Sequence, residues 1–414
     1  MNTITKAVQL LENRQPDQAL NLLNNYMPQA QDDEKMMIVE IYMQWGFNEE
    51  AITILTNLLS KYPRENEIKI MLADLYIENN QDEQAMVLLN EIPEEDDTYI
   101  QSLLQLADLY QAQGLFEVAE QKLLTAKNLL PNEKIINFAL GELYFSMGEY
   151  KKAITYYEKI NTATIAEISI HNRLAEANAL IGEYEQALNY YQQINVDDAD
   201  TLFKYGFTAA SAGRNDIAIS SWETLIEKDP YYHSVFYELA KVYQEEKHPD
   251  KAYKIALQGL KNDEFNKKLY YLAGKLAHQL SKHEESDKWI SEAIALDPDY
   301  KDAVLFKIES LKEVEDFLGI IKFIHDLHAM GLTDPLYDWE LARAFYETES
   351  YNNALNHYNI AYNHFSKDAD FLKEYGYFLF EEGRTNKGIT VFETYLQLQP
   401  DDFEVEELMD RFKQ

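Results

Sequence analysis

An alanine recurs in this sequence at a stride of 34 residues, and this period constrains the fold more than any other feature. The first positions of the series are Ala51, Ala85, Ala119, Ala153 and Ala187. After one shorter step of 31 residues, the register continues at Ala218, Ala252, Ser286, Ile320, Ala354 and Gly388. Such a stride is typical of a solenoid in which helical hairpins stack on one another. The sequence therefore predicts an all-α chain without a sheet.

Each predicted hairpin carries an aromatic and a small residue on its first helix. The aromatic lies nine residues before the repeating position, at Tyr42, Tyr76, Tyr110 and Tyr144. Three residues before the aromatic position lies a small residue: Ala73, Ala107, Gly141, Ala175, Gly206, Ala240, Gly274, Ala342 and Gly376. Small residues let two helices approach closely, and the aromatic is expected to fill the gap where the next hairpin packs.

Glycine and proline, which end helices, also recur at fixed positions of the repeat. A glycine lies between the two helices of several hairpins, at Gly46, Gly148, Gly182, Gly213 and Gly383. Glycine at this point suits a left-handed cap at the end of the first helix. Twelve residues after the repeating position, a proline often ends the second helix: Pro63, Pro131, Pro230, Pro298 and Pro400.

These residues resemble the tetratricopeptide repeat (TPR) family, most closely in the stretch from Ala139 to Ala153. The resemblance implies a right-handed α-solenoid, or superhelix, of about twelve tandem repeats between Ala19 and Gly388. It covers nearly the whole chain. The sequence departs from the family pattern in two ways: the tryptophan that opens the consensus is mostly absent, and one repeat has lost its small and aromatic residues.

The register suggests a continuous array rather than separate globular domains. We expect an N-terminal array over residues 1–198 and a C-terminal array over residues 199–400. The C-terminal array includes the degenerate repeat near residues 301–332, and residues 401–414 are expected to form a capping segment.

Composition limits the compartment and the partners. With no cysteine, disulfides and thiolate metal sites are excluded. The start of the chain has no signal-peptide pattern, and no apolar run reaches membrane-spanning length, so we expect a cytoplasmic protein without membrane insertion. A formal net charge of -35 argues against nucleic acid as a partner and favours basic segments of other proteins. The acidity also has a simpler interpretation, that it keeps a long surface soluble.

Signals for catalysis or metal binding are weak. The sequence has no phosphate-binding glycine loop and no nucleophile elbow. His325 and His328 share a helical spacing but lack a third ligand, so a solvated helix face is the preferred interpretation. We therefore expect a protein that is not an enzyme and that uses no cofactor and no metal.

The clearest candidate binding residues form an acidic row eleven residues before the repeating position. This row comprises Glu40, Asp74, Asp108, Glu142 and Glu176. One helical turn earlier lies an apolar row: Met36, Ile70, Leu104 and Phe138. Because the stride returns each residue to the same azimuth, the two rows are expected to line one wall of the concave groove. They would bind a basic segment with apolar anchors. The alternative is that the carboxylates are merely solvated and that the apolar row belongs to the core.

Beyond the short step, the same two rows become aromatic and basic. The candidate residues there are Phe203, Phe207, Tyr237, Lys241, Tyr271, Lys275, Trp339 and Arg343. Cations beside aromatic rings could hold a segment that carries carboxylates. Solvated lysines over a packed aromatic core are the alternative.

A non-catalytic scaffold or adaptor that binds partner segments in the groove is the function that these patterns favour. Two alternatives stay open: a peptide-sensing regulator, and an assembly or chaperone-type factor that sequesters its partner. Self-association through the terminal repeats is compatible with all three, and fold alone does not choose among them.

Overall fold

The computed structural model describes residues 3–413, which form 25 α-helices and one very short strand pair. The predicted all-α class is confirmed. The chain divides into two compact units, unit 1 up to Gly213 and unit 2 from Arg214 onward.

Unit 1 contains the first thirteen helices. Their bounds are α1 (Thr3–Glu12), α2 (Pro16–Tyr26), α3 (Asp32–Trp45), α4 (Asn48–Lys61), α5 (Asn66–Glu78), α6 (Asp82–Asn90), α7 (Tyr99–Ala112), α8 (Phe116–Leu129), α9 (Lys134–Ser146), α10 (Tyr150–Tyr157), α11 (Ile170–Leu180), α12 (Tyr184–Tyr191) and α13 (Ala199–Ser211). A short 3-10 helix, Met27–Gln29, follows α2. From α1 to α12, consecutive helices pack in pairs as hairpins.

Unit 2 contains the remaining helices. Their bounds are α14 (Asn215–Lys228), α15 (Ser234–Glu245), α16 (Pro249–Leu260), α17 (Lys267–Gln279), α18 (His283–Leu296), α19 (Lys301–Glu313), α20 (Phe317–Ala329), α21 (Pro335–Glu347), α22 (Tyr351–Phe365), α23 (Ala369–Glu381), α24 (Thr385–Leu398) and α25 (Phe403–Lys413). Hairpins run from α15–α16 to α23–α24, and α25 packs on α24 in the predicted capping segment.

The turn inside each hairpin places one residue in the left-handed region. Gly148 has a φ of 75°, and the following Glu149 N–H donates to the Tyr144 carbonyl at 2.9 Å, which closes helix α9. Asn80, Lys247 and Ser281 adopt φ of 56–60° at the equivalent turns. The residue at this turn position therefore adopts the left-handed conformation even where it is not glycine.

A close contact between the two helices explains the small residue of each repeat. A Cβ added to Gly141 would lie 2.3 Å from Cε1 of Tyr157, and one added to Gly376 would lie 2.2 Å from Cε1 of Phe392. Both rings belong to the second helix, four residues after the repeating position. The hydroxyl of the first-helix aromatic also reaches the preceding hairpin, since the Tyr243 hydroxyl donates to Glu223 at 2.5 Å.

Three second helices are shorter than the others. Helix α6 has 9 residues and helices α10 and α12 have 8 each, whereas α8 has 14. After α10, strands β1 (Thr164–Ile165) and β2 (Ile168–Ser169) pair around a turn in which Ala166 and Glu167 both have positive φ. The expectation of a chain without any sheet is wrong at these four residues. After α12 no such insertion follows, which accounts for the shorter step between Ala187 and Ala218.

The repeat predicted to be degenerate forms a complete hairpin, α19–α20. Ile308, Ile320 and Ile324 are each no more than 1% exposed and fill the interface that small and aromatic residues occupy elsewhere. Glu315, with a φ of 55°, provides the left-handed turn. Within the described part of the chain, no helix is long and apolar enough to cross a membrane.

Replacing Gly141 with alanine tests whether the contact with Tyr157 sets the spacing of the two helices. In an unhindered helix, this change stabilises by about 0.5–1 kcal/mol. Because the added Cβ meets the Tyr157 ring, we expect Gly141→Ala to lower the free energy of unfolding by about 1–3 kcal/mol. Urea unfolding followed by circular dichroism measures this. In a Tyr157→Leu background the cost should shrink, and an equal cost in both backgrounds would contradict the contact.

Candidate functional site

The acidic row of unit 1 lies on the first helices of five successive hairpins. Glu40 is on α3, Asp74 on α5, Asp108 on α7, Glu142 on α9 and Glu176 on α11. Helix α7 also packs on α9, and α11 on α13. We call the face that carries this row, from α3 to α13, the first-helix surface.

Several of these carboxylates accept hydrogen bonds from the first helix of the next hairpin. Gln105 Nε2 donates to Asp74, Arg173 Nη2 donates to Glu142 at 3.0 Å, and Lys204 Nζ donates to Glu176. Each donor stands fourteen residues before the repeating position of its own repeat. That position lies one helical turn from the acidic row, on the same face.

Glu142 and Glu176 belong to one neutralised network. Arg173 bridges them, since its Nη1 donates to Glu176 at 3.0 Å while its Nη2 bonds Glu142. Glu176 is only 7% exposed, and Lys204 provides it with a second cation. The Tyr157 hydroxyl donates to Glu142 at 2.6 Å. Burial, followed by this hydrogen bond, raises the pKa of Tyr157, so the tyrosine remains a proton donor.

The other three carboxylates have no cationic partner among the described residues, and we call them the uncompensated carboxylates: Glu40, Asp74 and Asp108. Asp108 is exposed, and its carboxylate accepts no hydrogen bond from the described residues, because Ala139 occupies the donor position of the next repeat. The surrounding protein nevertheless reduces its hydration, and this desolvation raises the pKa of Asp108. Burial, and then the nearby Glu78, likewise raise the pKa of Asp74.

The apolar row of unit 1 is partly core. Ile70 and Phe138 are 5% and 8% exposed and pack inside the hairpin interfaces. Met36 and Leu104 are half-buried. In the acidic row, Glu40 and Asp108 are exposed, Asp74 and Glu142 are half-buried and Glu176 is buried. Ile70 and Phe138 of the apolar row are not accessible to a partner.

An accessible apolar pocket lies further along the first-helix surface. A cavity of about 620 Å³ opens between α11, α12 and α13, and Phe145 of α9 contributes to its wall. Leu180 and Phe207 are 55% and 51% exposed, and the rings of Phe203 and Phe207 are 6.5 Å apart. Three of the predicted site residues, Glu176, Phe203 and Phe207, thus line this pocket, together with Arg173 and Lys204.

In unit 2, the predicted aromatic and basic residues divide into two groups. Tyr237 and Tyr271 are half-buried, Lys241 is exposed, and the Lys275 Nζ lies 5.4 Å from the centre of the Tyr271 ring. Trp339, by contrast, is 7% exposed in a core cluster.

Arg343 is already neutralised. Its guanidinium binds Glu374 through Nε and Nη2, at 2.9 and 2.6 Å, and Glu340 through Nη1 at 3.0 Å. The Trp339 indole also donates to Glu374, at 3.0 Å. Arg343, Glu340 and Glu374 border a cavity of about 800 Å³ in which carboxylates outnumber cations. Arg343 therefore offers no free charge to a carboxylate ligand.

The two histidines of α20 have different surroundings. His325 is exposed, as the interpretation of a solvated face requires, but His328 is half-buried with its ring 6.5 Å from that of Tyr337. Burial lowers the pKa of His328. Across residues 3–413, the structure brings together no group of three or more side chains suited to a metal ion.

Comparisons with known proteins decide the family. A model described as YpiA-like, C-terminal tetratricopeptide repeats matches residues 335–402, and one described as YpiA-like, tetratricopeptide repeats matches residues 111–165. General tetratricopeptide models match residues 46–106 and 267–300. The TPR repeat-containing protein YpiA of Bacillus subtilis (strain 168) is 40% identical over 418 residues, which cover 100% of this chain and 99% of that protein. The chain belongs to the YpiA-like tetratricopeptide repeat family.

Solved structures similar to this member of the YpiA-like family have low sequence identity to it. YrrB, described as a TPR protein with an unusual peptide-binding site, is 15% identical with a TM-score of 0.40, over 45% of this chain and 97% of that one. A tetratricopeptide repeat protein from Parabacteroides merdae ATCC 43184 is 15% identical with a TM-score of 0.41, over 59% and 98%. At these TM-scores, neither structure bears on the site.

Replacing Asp108 with asparagine tests whether this carboxylate is held at the expense of stability. A carboxyl group whose pKa is higher in the folded than in the unfolded chain lowers the free energy of unfolding when it is ionised. This loss of stability disappears as the pH falls below the pKa of the unfolded chain, near 3.8. We therefore expect Asp108→Asn to raise the melting temperature at pH 7 and to have the same melting temperature as the wild type at about pH 3. Calorimetry across this range measures the difference. A lower melting temperature at pH 7 would show that Asp108 stabilises the fold.

Proposed function

We propose that this protein is an interaction scaffold that binds a basic segment of a partner protein along the uncompensated carboxylates of unit 1. Membership of the YpiA-like family supports the general role, because tetratricopeptide arrays typically bind proteins and are typically not catalytic. The finer assignment rests on Asp74 and Asp108 of the first-helix surface.

The proposal rests on the lack of a cationic partner for the Asp108 carboxylate among the described residues. In the same row, Glu142 and Glu176 are each neutralised by a cation from the neighbouring helix. Asp108 has none among the described residues, although the surrounding protein reduces its hydration. The surroundings that raise the pKa of Asp108 disfavour its ionised form in the free protein. A lysine or arginine from a partner would remove this cost, so the position favours binding of a cation.

The charge of the whole chain points the same way. The sequence has 72 acidic and 37 basic residues, and its field attracts basic segments and repels nucleic acid. We retain Tyr237, Lys241, Tyr271 and Lys275 of unit 2 as candidate contacts for an acidic segment. Since Arg343 is neutralised and Trp339 is buried, neither is kept in that set.

A synthetic peptide tests the proposal without knowledge of the natural partner. The probe is a fluorescein-labelled decapeptide of alternating lysine and serine, titrated into the full chain and followed by fluorescence anisotropy. We expect Asp74→Asn/Asp108→Asn to weaken binding about tenfold, since a hydrogen bond to a charged group contributes about 1.5–3 kcal/mol before solvent screening. Raising the salt should weaken wild-type binding as well.

A charge-matched variant provides the control. Glu83→Gln/Glu117→Gln removes the same number of charges from exposed positions on second helices α6 and α8. We expect this variant to bind the peptide within about twofold of the wild type, because net charge alone is a weak, screened effect. Equal losses in the two variants would mean that the peptide senses only the total charge, and the proposal would then fail.

A further inference from the structure

The apolar pocket and the uncompensated carboxylates lie on the same first-helix surface. We propose that the pocket lined by Leu180, Phe203 and Phe207 receives one apolar side chain of the same partner segment whose basic residues bind Asp74 and Asp108. This inference rests on the proposed function and adds to it a second contact point and a spacing.

The chemistry of the pocket favours an apolar occupant. Leu180 and Phe207 each expose about half of their surface, so an aromatic or aliphatic side chain placed between them would remove apolar area from water on both partners. The charged groups in the wall are already paired. Glu176 binds both Arg173 and Lys204, which leaves neither an unpaired carboxylate nor a free guanidinium to select a charged ligand.

The change in charge along the surface identifies the occupant. From α3 to α7 the row offers carboxylates without cationic partners among the described residues, whereas the row carboxylates of α9 and α11, Glu142 and Glu176, both bind Arg173, and Glu176 also binds Lys204. A chain that crosses the surface therefore meets negative charge first and a neutral apolar pocket afterwards. The complementary ligand is a segment of another protein with lysine or arginine at one end and a large apolar residue at the other.

The geometry of the array gives the spacing between these residues. Helices in contact have axes about 8–10 Å apart. From Asp108 on α7 to the pocket between α11 and α13 is about two and a half such steps, or roughly 20–25 Å. An extended chain rises about 3.3 Å per residue. The basic residue and the apolar anchor should therefore be about six to eight residues apart.

A spacing series tests this inference. The probes are fluorescein-labelled peptides in which two arginines and one phenylalanine are separated by serine–glycine linkers of two, four, six, eight or twelve residues, in both chain orders. Matched peptides carry serine in place of phenylalanine. With the full chain, we expect phenylalanine to improve affinity about tenfold at the linker of six residues, which places the nearer arginine and the phenylalanine about seven positions apart, in one chain order. At two residues it should improve affinity little, because the ligand cannot reach both contacts.

Substitutions in the pocket test whether it is responsible for the improvement in affinity due to phenylalanine. Leu180→Ser and Phe207→Ser should each remove most of the improvement due to phenylalanine while leaving the binding of the serine peptides unchanged. The matched control is Val87→Ser, at a residue 61% exposed on second helix α6, and it should retain the full improvement. Circular dichroism verifies that each variant is folded.

The outcomes separate this inference from the proposed function. If Asp74→Asn/Asp108→Asn leaves all affinities unchanged, the proposed function itself fails. If that variant weakens binding but phenylalanine adds nothing, adds equally at every linker length, or is insensitive to Phe207→Ser, only the pocket assignment is overturned. Concentration-dependent self-association in sedimentation that Phe207→Ser abolishes would identify a second copy of this chain as the occupant and would also overturn it.

Discussion

The close contact between a small residue of the first helix and a large side chain of the second, an aromatic ring at Gly141 and Gly376 and Ile290 at Gly274, is the constraint on which the rest of the structure depends. Gly141 and Gly376 have room for a hydrogen but not for a methyl group, because Tyr157 and Phe392 occupy that space. This contact fixes the distance between the two helices of a hairpin. Equal hairpins then return equivalent residues to one face, so a row in the sequence becomes a row in space.

Much of the fold could be predicted because each hairpin needs residues of the same size at the same contact, so the contact recurs in the sequence as a period of 34 residues. The turns followed from the same register, and Asn80 and Ser281 adopt the left-handed conformation where glycine is missing. The strand pair at residues 164–169 could not be foreseen, since its turn uses Ala166 and Glu167 rather than the usual asparagine and glycine.

The site was only partly predictable. Periodicity gives the azimuth of a residue, but it does not give the identity of the group that faces it from the next repeat. Arg173 and Lys204 lie three residues before row positions of their own helices, so the spacing could have revealed them as neighbours of Glu142 and Glu176. The burial of Trp339 could not be read this way, because it depends on rings contributed by a neighbouring hairpin, such as Phe371 at 5.1 Å.

Tyr157 links the interior of its hairpin to the surface. Its ring packs against Gly141 inside the hairpin, and its hydroxyl donates a hydrogen bond to Glu142 on the first-helix surface. A substitution of Glu142 on the first-helix surface therefore also removes a hydrogen bond from the ring that fills the hairpin interior. Around this repeat, we expect surface and interior to diverge together during evolution, with changes at residues 141, 142 and 157 appearing as a correlated set.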